Sequence, residues 1–310
     1  MTTDLAGIPL LEVRRGVPLA AYTRFGIGGA ADVLAETSDA GSLVEAVRMA
    51  QACGQPVAVI GGGTNLVVAD EGFPGIVLRY TADRIRAEGT SVAVDAGAEL
   101  QALVDFTVER GLKGVETLTR IPGWVGAAVY GNAGAYGHSL SERISRVTST
   151  DGGSPRVLTN AECEFRYRES VFKRQKGWII LSAELELEGA DPAELRRVAD
   201  EIAGIRDRKF PQTMRCAGSI FKNLLFEELP AKVAELAPPP VVREGKVAAG
   251  WFLEQVGAKG MVRGGIHVAD YHANLIYNAG GGTARDLWAL IDELKNLQDH
   301  LVAIMSRKDH

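Results

Sequence analysis

Residues 121–137 read Ile-Pro-Gly-Trp-Val-Gly-Ala-Ala-Val-Tyr-Gly-Asn-Ala-Gly-Ala-Tyr-Gly, with glycine at 123, 126, 131, 134 and 137 and Asn132 as the one amide. A core segment would want bulk here. A run this small lets backbone come close to something flat or anionic, because glycine has no Cβ and accepts positive φ. A second run, Gly61-Gly62-Gly63-Thr64-Asn65, offers consecutive N–H groups. Such a loop forms an anion-binding concavity without needing a helix. Thr64 and Asn65 add side-chain donors. Two loops of this kind point to a large nucleotide gripped from two sides; for residues 121–137 the competing reading is a buried turn between strands. A third cluster, Gly26-Ile27-Gly28-Gly29-Ala30-Ala31, satisfies G-x-G-x-x-A in form only. Residues 31–36 after it read as a strand, where a dinucleotide fold needs a helix N-terminus to receive pyrophosphate.

The elements that must carry these loops emerge from periodicity. Residues 38–52 predict a helix with Ser38 as N-cap and Leu43, Val47 and Ala50 on one side. Residues 57–60 predict a short buried strand that runs into the Gly61 loop. Strand-like sequence resumes at 66–69 and 75–80, and residues 91–95 predict another strand before a helix over 99–109. Residues 178–188 end in strict alternation, a half-exposed strand with its glutamates in water. Asp191-Pro192 opens a helix to about Asp207, with proline in the first turn. Pro238-Pro239-Pro240 belongs to a surface loop. Residues 286–305 form a final amphipathic helix with Leu287, Leu290, Ile291, Leu294, Leu297 and Leu301 on its stripe. Helices and strands interleave irregularly, so the fold class is α+β.

Composition narrows the function classes. The chain has 310 residues, 46% hydrophobic and 24% charged, enough for two or three domains with a real core. A net charge of -5 gives no basic footprint for nucleic acid. No apolar run approaches a membrane span, and residues 1–15 lack the basic-then-apolar pattern of a secretion signal. Cys53, Cys163 and Cys216 are odd in number and widely spaced. They suit reduced thiols in a cytoplasm and supply neither a disulfide framework nor a metal site.

An ordered set of motifs adds to this reading. They are Thr23-Arg-Phe-Gly-Ile-Gly-Gly29, Gly61-Gly-Gly-Thr-Asn-Leu66, Ile121-Pro-Gly-Trp-Val-Gly126, Asn132-Ala-Gly-Ala-Tyr-Gly137, Phe165-Arg-Tyr-Arg-Glu-Ser170 with Phe172-Lys173, Ala217-Gly-Ser-Ile-Phe-Lys-Asn223, and His272-Ala-Asn-Leu-Ile-Tyr-Asn278. From about Thr23 to Ile291 the chain resembles the UDP-N-acetylenolpyruvoylglucosamine reductase family, the UDP-N-acetylmuramate dehydrogenases of peptidoglycan synthesis. The resemblance implies an FAD-binding PCMH-type fold of two α+β subdomains, residues 1–80 and 81–205, and a C-terminal α+β substrate-binding domain, residues 206–310. The 50 residues between Arg168 and Ser219 resemble the shorter subtype, which lacks a tyrosine-bearing loop over the substrate.

The resemblance further implies reduction of UDP-N-acetylglucosamine enolpyruvate to UDP-N-acetylmuramate by NADPH through FAD. Hydride addition pushes negative charge onto the substrate carboxylate, so the site must hold that charge and deliver a proton. Arg168 matches the family's catalytic arginine, and a guanidinium forks onto two carboxylate oxygens. Ser219 matches the proton donor; alone, a serine after Ala-Gly reads as a turn residue. Lys222 and Asn223 match substrate contacts. Lys209 matches a lysine on the diphosphate, with Arg208 equally placed. For FAD the match names Gly61, Gly62, Gly63, Thr64 and Asn65, then Ile121, Pro122, Gly123 and Gly126, then Asn132, Ala133 and Gly134, with backbone amides serving the pyrophosphate and the ring's polar edge. Tyr136 reads as packing, and His138 and His272 read as structural, with no carboxylate partner at a useful spacing. The expected molecule is a cytoplasmic monomer that takes UDP-N-acetylglucosamine enolpyruvate and NADPH, without nucleic acid, membrane insertion or metal.

One departure stands out. The family ends on a strand carrying a Glu-x-Glu-Val-Arg-like segment whose second glutamate joins the protonation chemistry, and residues 295–310 contain no such segment. Asp309, Glu254 and Glu293 are the candidate substitutes. Three readings therefore stand side by side: an active reductase, a catalytically impaired relative that keeps FAD or the UDP-sugar, and an FAD oxidoreductase for another substrate.

Overall fold

The computed structural model describes the backbone of residues 5–307 and side chains through Val302. The chain divides into two compact units, residues 5–18, 30–64 and 73–212 in one and residues 19–29, 65–72 and 213–307 in the other.

Beside the two-stranded pairings of Leu112–Lys113 with Glu188–Gly189 and of Gly134–Ala135 with His138–Ser139, the first unit is built on two larger sheets. In the first, β1 (Glu12–Pro18) runs antiparallel to β2 (Ala30–Thr37), and β4 (Phe73–Tyr80) lies between β2 and β3 (Val57–Val59), parallel to both. Helix α1 (Ala40–Ala52) buries Leu43, Ala46, Val47 and Ala50 in the core that also contains Ile76 and Leu78. Its N-cap is Asp39 rather than Ser38. The Asp39 carboxylate accepts from the Ser42 amide at 2.8 Å, and a negative group suits the positive end of a helix better than a hydroxyl does. Residues 66–69, expected as strand, form none. They belong to the segment 65–72 of the second unit, where Ala69 O accepts from Gly29 N at 2.9 Å.

The second sheet is antiparallel throughout and runs Arg156–Thr159, Ile144–Thr150, Ile179–Glu186, β6 (Ser91–Asp95), β5 (Ile85–Glu88). The alternation read from sequence holds: Ala183 and Leu185 are buried, and Glu186 is exposed. Helices α2 (Leu100–Glu109), α3 (Val125–Tyr130), α4 (Val171–Arg174) and α5 (Pro192–Lys209) complete this unit. Asp191 caps α5 by accepting from Ala193 N, with Pro192 in the first turn as expected.

The second unit has a four-stranded antiparallel sheet ordered Cys216–Ser219, His272–Asn278, Ile266–Ala269, Val262–Arg263. Around it lie α6 (Ala231–Leu236), α7 (Ala249–Gln255) and α8 (Ala284–Arg307). Phe25 and Ile27, far away in sequence, share its core with Leu253, Ile266, Leu287 and Leu290. Two polar side chains tie the excursions down. Asn278 donates to Phe25 O at 2.9 Å, and Asp70 accepts from the first amides of α8, Ala284 N at 2.8 Å and Arg285 N at 3.0 Å. The glycines of the G-x-G-x-x-A look-alike serve this packing. A Cβ on Gly28 would lie 2.6 Å from Val68 Cβ, and one on Gly29 would lie 2.3 Å from Asp70 O. Among the described residues no helix is long and apolar enough to cross a membrane, and no His, Cys, Asp and Glu cluster could hold a metal.

Candidate active site

The 61–65 loop leaves β3 after Ile60 N has bonded to Leu78 O at 3.0 Å. Among the described residues, the amides of Gly61, Gly62, Gly63 and Thr64 then meet no acceptor. Buried or half-buried N–H groups are normally paired, so four in a row mark a surface shaped for an external acceptor. Gly63 has φ +64°, the left-handed conformation that makes successive amides converge. An added Cβ on Gly61 would find ordinary contacts, Ala127 Cβ at 3.6 Å and Trp124 Cβ at 3.7 Å. The protein's own packing therefore leaves room for a side chain there. Thr64 Oγ1 donates to Pro122 O at 3.1 Å, and Gly62 sits against Trp124, with 3.2 Å from its would-be Cβ to Trp124 Cδ1. The Arg79 guanidinium lies 4.6 Å above the Trp124 ring. The loop and residues 122–124 thus form one continuous wall. Asn65, the next residue, is exposed and counts with the second unit.

The 121–137 stretch is different. Its amides are largely committed: Ile121 N to Leu118 O, Gly126 N to Ala96 O, Asn132 N to Val129 O and Ala133 N to Ala128 O, all between 2.8 and 3.1 Å. Pro122 has no amide to give. The amides expected to be free for a cofactor at these five positions are therefore already taken by the protein or, at Pro122, absent. Gly123, with φ +117°, keeps an amide that meets no acceptor among the described residues. Two glycines answer to the protein itself. A Cβ on Gly126 would lie 2.8 Å from Ala96 Cβ, and one on Gly134 would lie 2.5 Å from His138 O. Tyr136, expected to pack, is 46% exposed.

Asn132 is the hub of this wall. It is buried, with φ +43°. Its Nδ2 donates to Arg166 O at 3.0 Å, and its Oδ1 accepts from Ser141 N at 3.1 Å. Arg166 and Glu169 exchange both backbone hydrogen bonds at 3.1 Å, leaving Tyr167 and Arg168 as the corner of a two-residue turn. Arg168 has φ +58°, a conformation that costs a non-glycine residue about 1 kcal/mol or more. Its guanidinium donates to Asn132 O at 3.2 Å and Gly134 O at 2.7 Å. Two of its five donors are thereby spent on fixing its direction. Nearby, Ser170 is fully buried and donates to Tyr130 O at 2.7 Å. Burial, and then the Glu169 carboxylate, push the Tyr130 phenol above its ordinary pKa.

In the second unit, Ser219 ends its strand opposite Leu275, just after Gly218 with φ +73°. Its hydroxyl is exposed and meets no partner among the described residues. Buried Asn274, to which sequence alone assigns no role, clamps the next two residues of the chain. Its Oδ1 accepts from Phe221 N at 2.8 Å, its Nδ2 donates to Phe221 O at 2.9 Å, and its backbone O accepts from Ile220 N. Lys222 is exposed beside this clamp. Asn223 Oδ1 accepts from Ala249 N at 3.2 Å, at the start of α7. Lys209, at the end of α5 in the first unit, is exposed with its Nζ 5.2 Å over the Phe210 ring.

The substitute acids are ion-paired at the surface, Glu254 with Lys259 and Glu293 with Arg263, each at 2.9 Å; Asp309 lies outside the described residues. His138 does have a carboxylate partner, Glu142 at 2.9 Å, one helical turn on in sequence. The pair is solvent-exposed, which suits a capping role.

Residues 31–152 match the family of FAD-binding domains, and residues 210–298 match the UDP-N-acetylenolpyruvoylglucosamine reductase C-terminal domain. The UDP-N-acetylenolpyruvoylglucosamine reductase of Solibacter usitatus is 61% identical over 291 residues, which cover 94% of this chain and 93% of the relative. The Bacillus subtilis reductase is 34% identical over 287 residues, covering 92% and 88%. The crystal structure of the Thermus caldophilus reductase superposes with a TM-score of 0.75 at 30% identity, covering 92% of this chain and 95% of that one. Motif order, fold and end-to-end similarity coincide, and the chain belongs to the UDP-N-acetylenolpyruvoylglucosamine reductase family.

Proposed function

We propose that this chain reduces UDP-N-acetylglucosamine enolpyruvate to UDP-N-acetylmuramate in peptidoglycan synthesis, with NADPH as reductant and FAD as cofactor. The observation that carries the reading is the row of amides at 61–64 that meet no acceptor among the described residues, in a chain whose residues 31–152 match an FAD-binding domain. FAD held there would supply the hydride chemistry, carrying a hydride from NADPH to the enolpyruvyl methylene carbon. Residues 61–65 hold the pyrophosphate, and the wall of residues 121–126 and 132–134 lets a flat ring approach.

Arg168 forks onto the substrate carboxylate and holds the negative charge that develops there. Ser219 Oγ gives its proton to the carbon beside the new C–H bond, which yields the lactyl ether; a hydroxyl does this only when nearby cations stabilise the alkoxide left behind. Lys222 and Asn223 bind the sugar nucleotide, and Lys209 meets its diphosphate. Residues 1–80 and 81–205 serve FAD as two subdomains and residues 206–310 serve the substrate. The protein works as a cytoplasmic monomer without membrane insertion. No observation among the described residues favours an impaired relative or another oxidoreductase.

The test is optical. Purified protein carries a visible flavin band that NADPH bleaches without oxygen and that the enolpyruvyl substrate restores. Bleaching without recovery on adding substrate would overturn the assignment of substrate.

A further inference from the structure

We infer that Lys173 is a positioning residue for Arg168, acting through the backbone of the turn rather than on the substrate. This rests on the proposed role of Arg168. Lys173 lies on α4, five residues past Arg168, and its Nζ donates to Arg168 O at 2.5 Å. It also forms a looser ion pair with Glu169 Oε1, at 3.8 Å. The ammonium thus makes its short hydrogen bond to a carbonyl, with a carboxylate farther off. That choice has a physical reason. Arg168 stands at φ +58°, where glycine would be at ease and arginine is not. Such a conformation persists only if its surroundings hold it.

The side-chain end of Arg168 is held by Asn132 O and Gly134 O. Lys173 holds the main-chain end with a charge-assisted bond, the stronger kind. With both ends fixed, the remaining guanidinium N–H groups keep one direction before any ligand arrives. Without Lys173 the turn can relax toward negative φ and swing the guanidinium away from those carbonyls. A displacement of about 1 Å can cost on the order of 100-fold in rate.

The experiment compares Lys173→Met, Lys173→Arg and Arg168→Lys, singly and as the Arg168→Lys/Lys173→Met double variant, in the flavin-loaded full chain. In Lys173→Met, FAD content and the rate of bleaching by NADPH stay at wild-type values. The rate at which the enolpyruvyl substrate restores the flavin band falls at least about tenfold, in line with misplacement of a clamping group, and Lys173→Arg recovers most of it. In the Arg168→Lys background, Lys173→Met changes that rate by less than about twofold, because a residue acting only through another is non-additive with it. Additive losses would overturn the inference, as would a wild-type rate in Lys173→Met alongside a slow Arg168→Lys. Loss of FAD and turnover together, unrescued by Lys173→Arg, would assign the lysine to folding alone and also overturn it. A wild-type rate in Arg168→Lys would instead remove the reading beneath it.

Discussion

Gly61 and Gly126 are both glycines of the same wall, yet an added methyl meets different surroundings at each. At 61 it finds ordinary van der Waals distances, and at 126 it lies 2.8 Å from Ala96 Cβ. Gly61→Ala should therefore melt close to wild type while its affinity for FAD falls, measured by flavin retention on dialysis. Gly126→Ala should lose about 1–3 kcal/mol of stability through overpacking, read from denaturant unfolding. Equal stabilities would refute this division. Ser219 is exposed and without a partner among the described residues, so Ser219→Ala should change stability by no more than about 0.5 kcal/mol. It should leave NADPH bleaching intact and slow recovery by substrate about 100-fold or more; equal slowing of both phases would remove Ser219 from the acid role. At this scale the sequence disclosed residue types better than their duties. Asn132 was legible as the one amide among glycines. That its side chain binds Arg166 O and Ser141 N was not, because those partners lie 34 and 9 residues away.

At the level of elements, local chemistry was legible wherever it decided the outcome. The helices over 99–109 and 191–207 and the strands over 57–60 and 75–80 came out within a few residues, since period and caps suffice for them. Residues 66–69 looked like strand because Leu-Val-Val suits a sheet. They lack a neighbouring ladder, and no local pattern reveals that. The cap of α1 gives a pH-dependent test. Asp39 has its pKa lowered chiefly by the Ser42 amide and then by the Ser42 hydroxyl, against a smaller opposing effect of burial. A carboxyl depressed in the folded state stabilises fully above its unfolded value of about 4 and loses that contribution as pH falls through the folded value. Asp39→Asn keeps an acceptor for Ser42 N. Its acid unfolding curve below about pH 4 should be shallower than wild type. Asp39 is only partly buried, so the difference is small, and a steeper curve would contradict the cap's charge dependence.

Across the whole molecule, chain order and spatial order part company. Phe25 and Ile27 belong to the core that α8 and the last sheet build, and Asp70 caps α8 from a segment more than 200 residues upstream. Residues 213–310 expressed alone should lack a cooperative melt and show poorly dispersed amide resonances, because two core side chains and a helix cap are missing; a sharp, native-like melt would contradict this. No periodicity argument could find that arrangement, since it depends on pairings between residues distant in sequence. The wall beside β3 has one more property. Trp124 touches Gly62 and lies beneath the Arg79 guanidinium, so the loop has an indole in its lining. Light emitted by that indole should dim when a nucleotide settles on the neighbouring amides. Trp178, Trp251 and Trp288 lie elsewhere in the chain and supply a steady background, and titration with a colourless adenine nucleotide should be readable without any label.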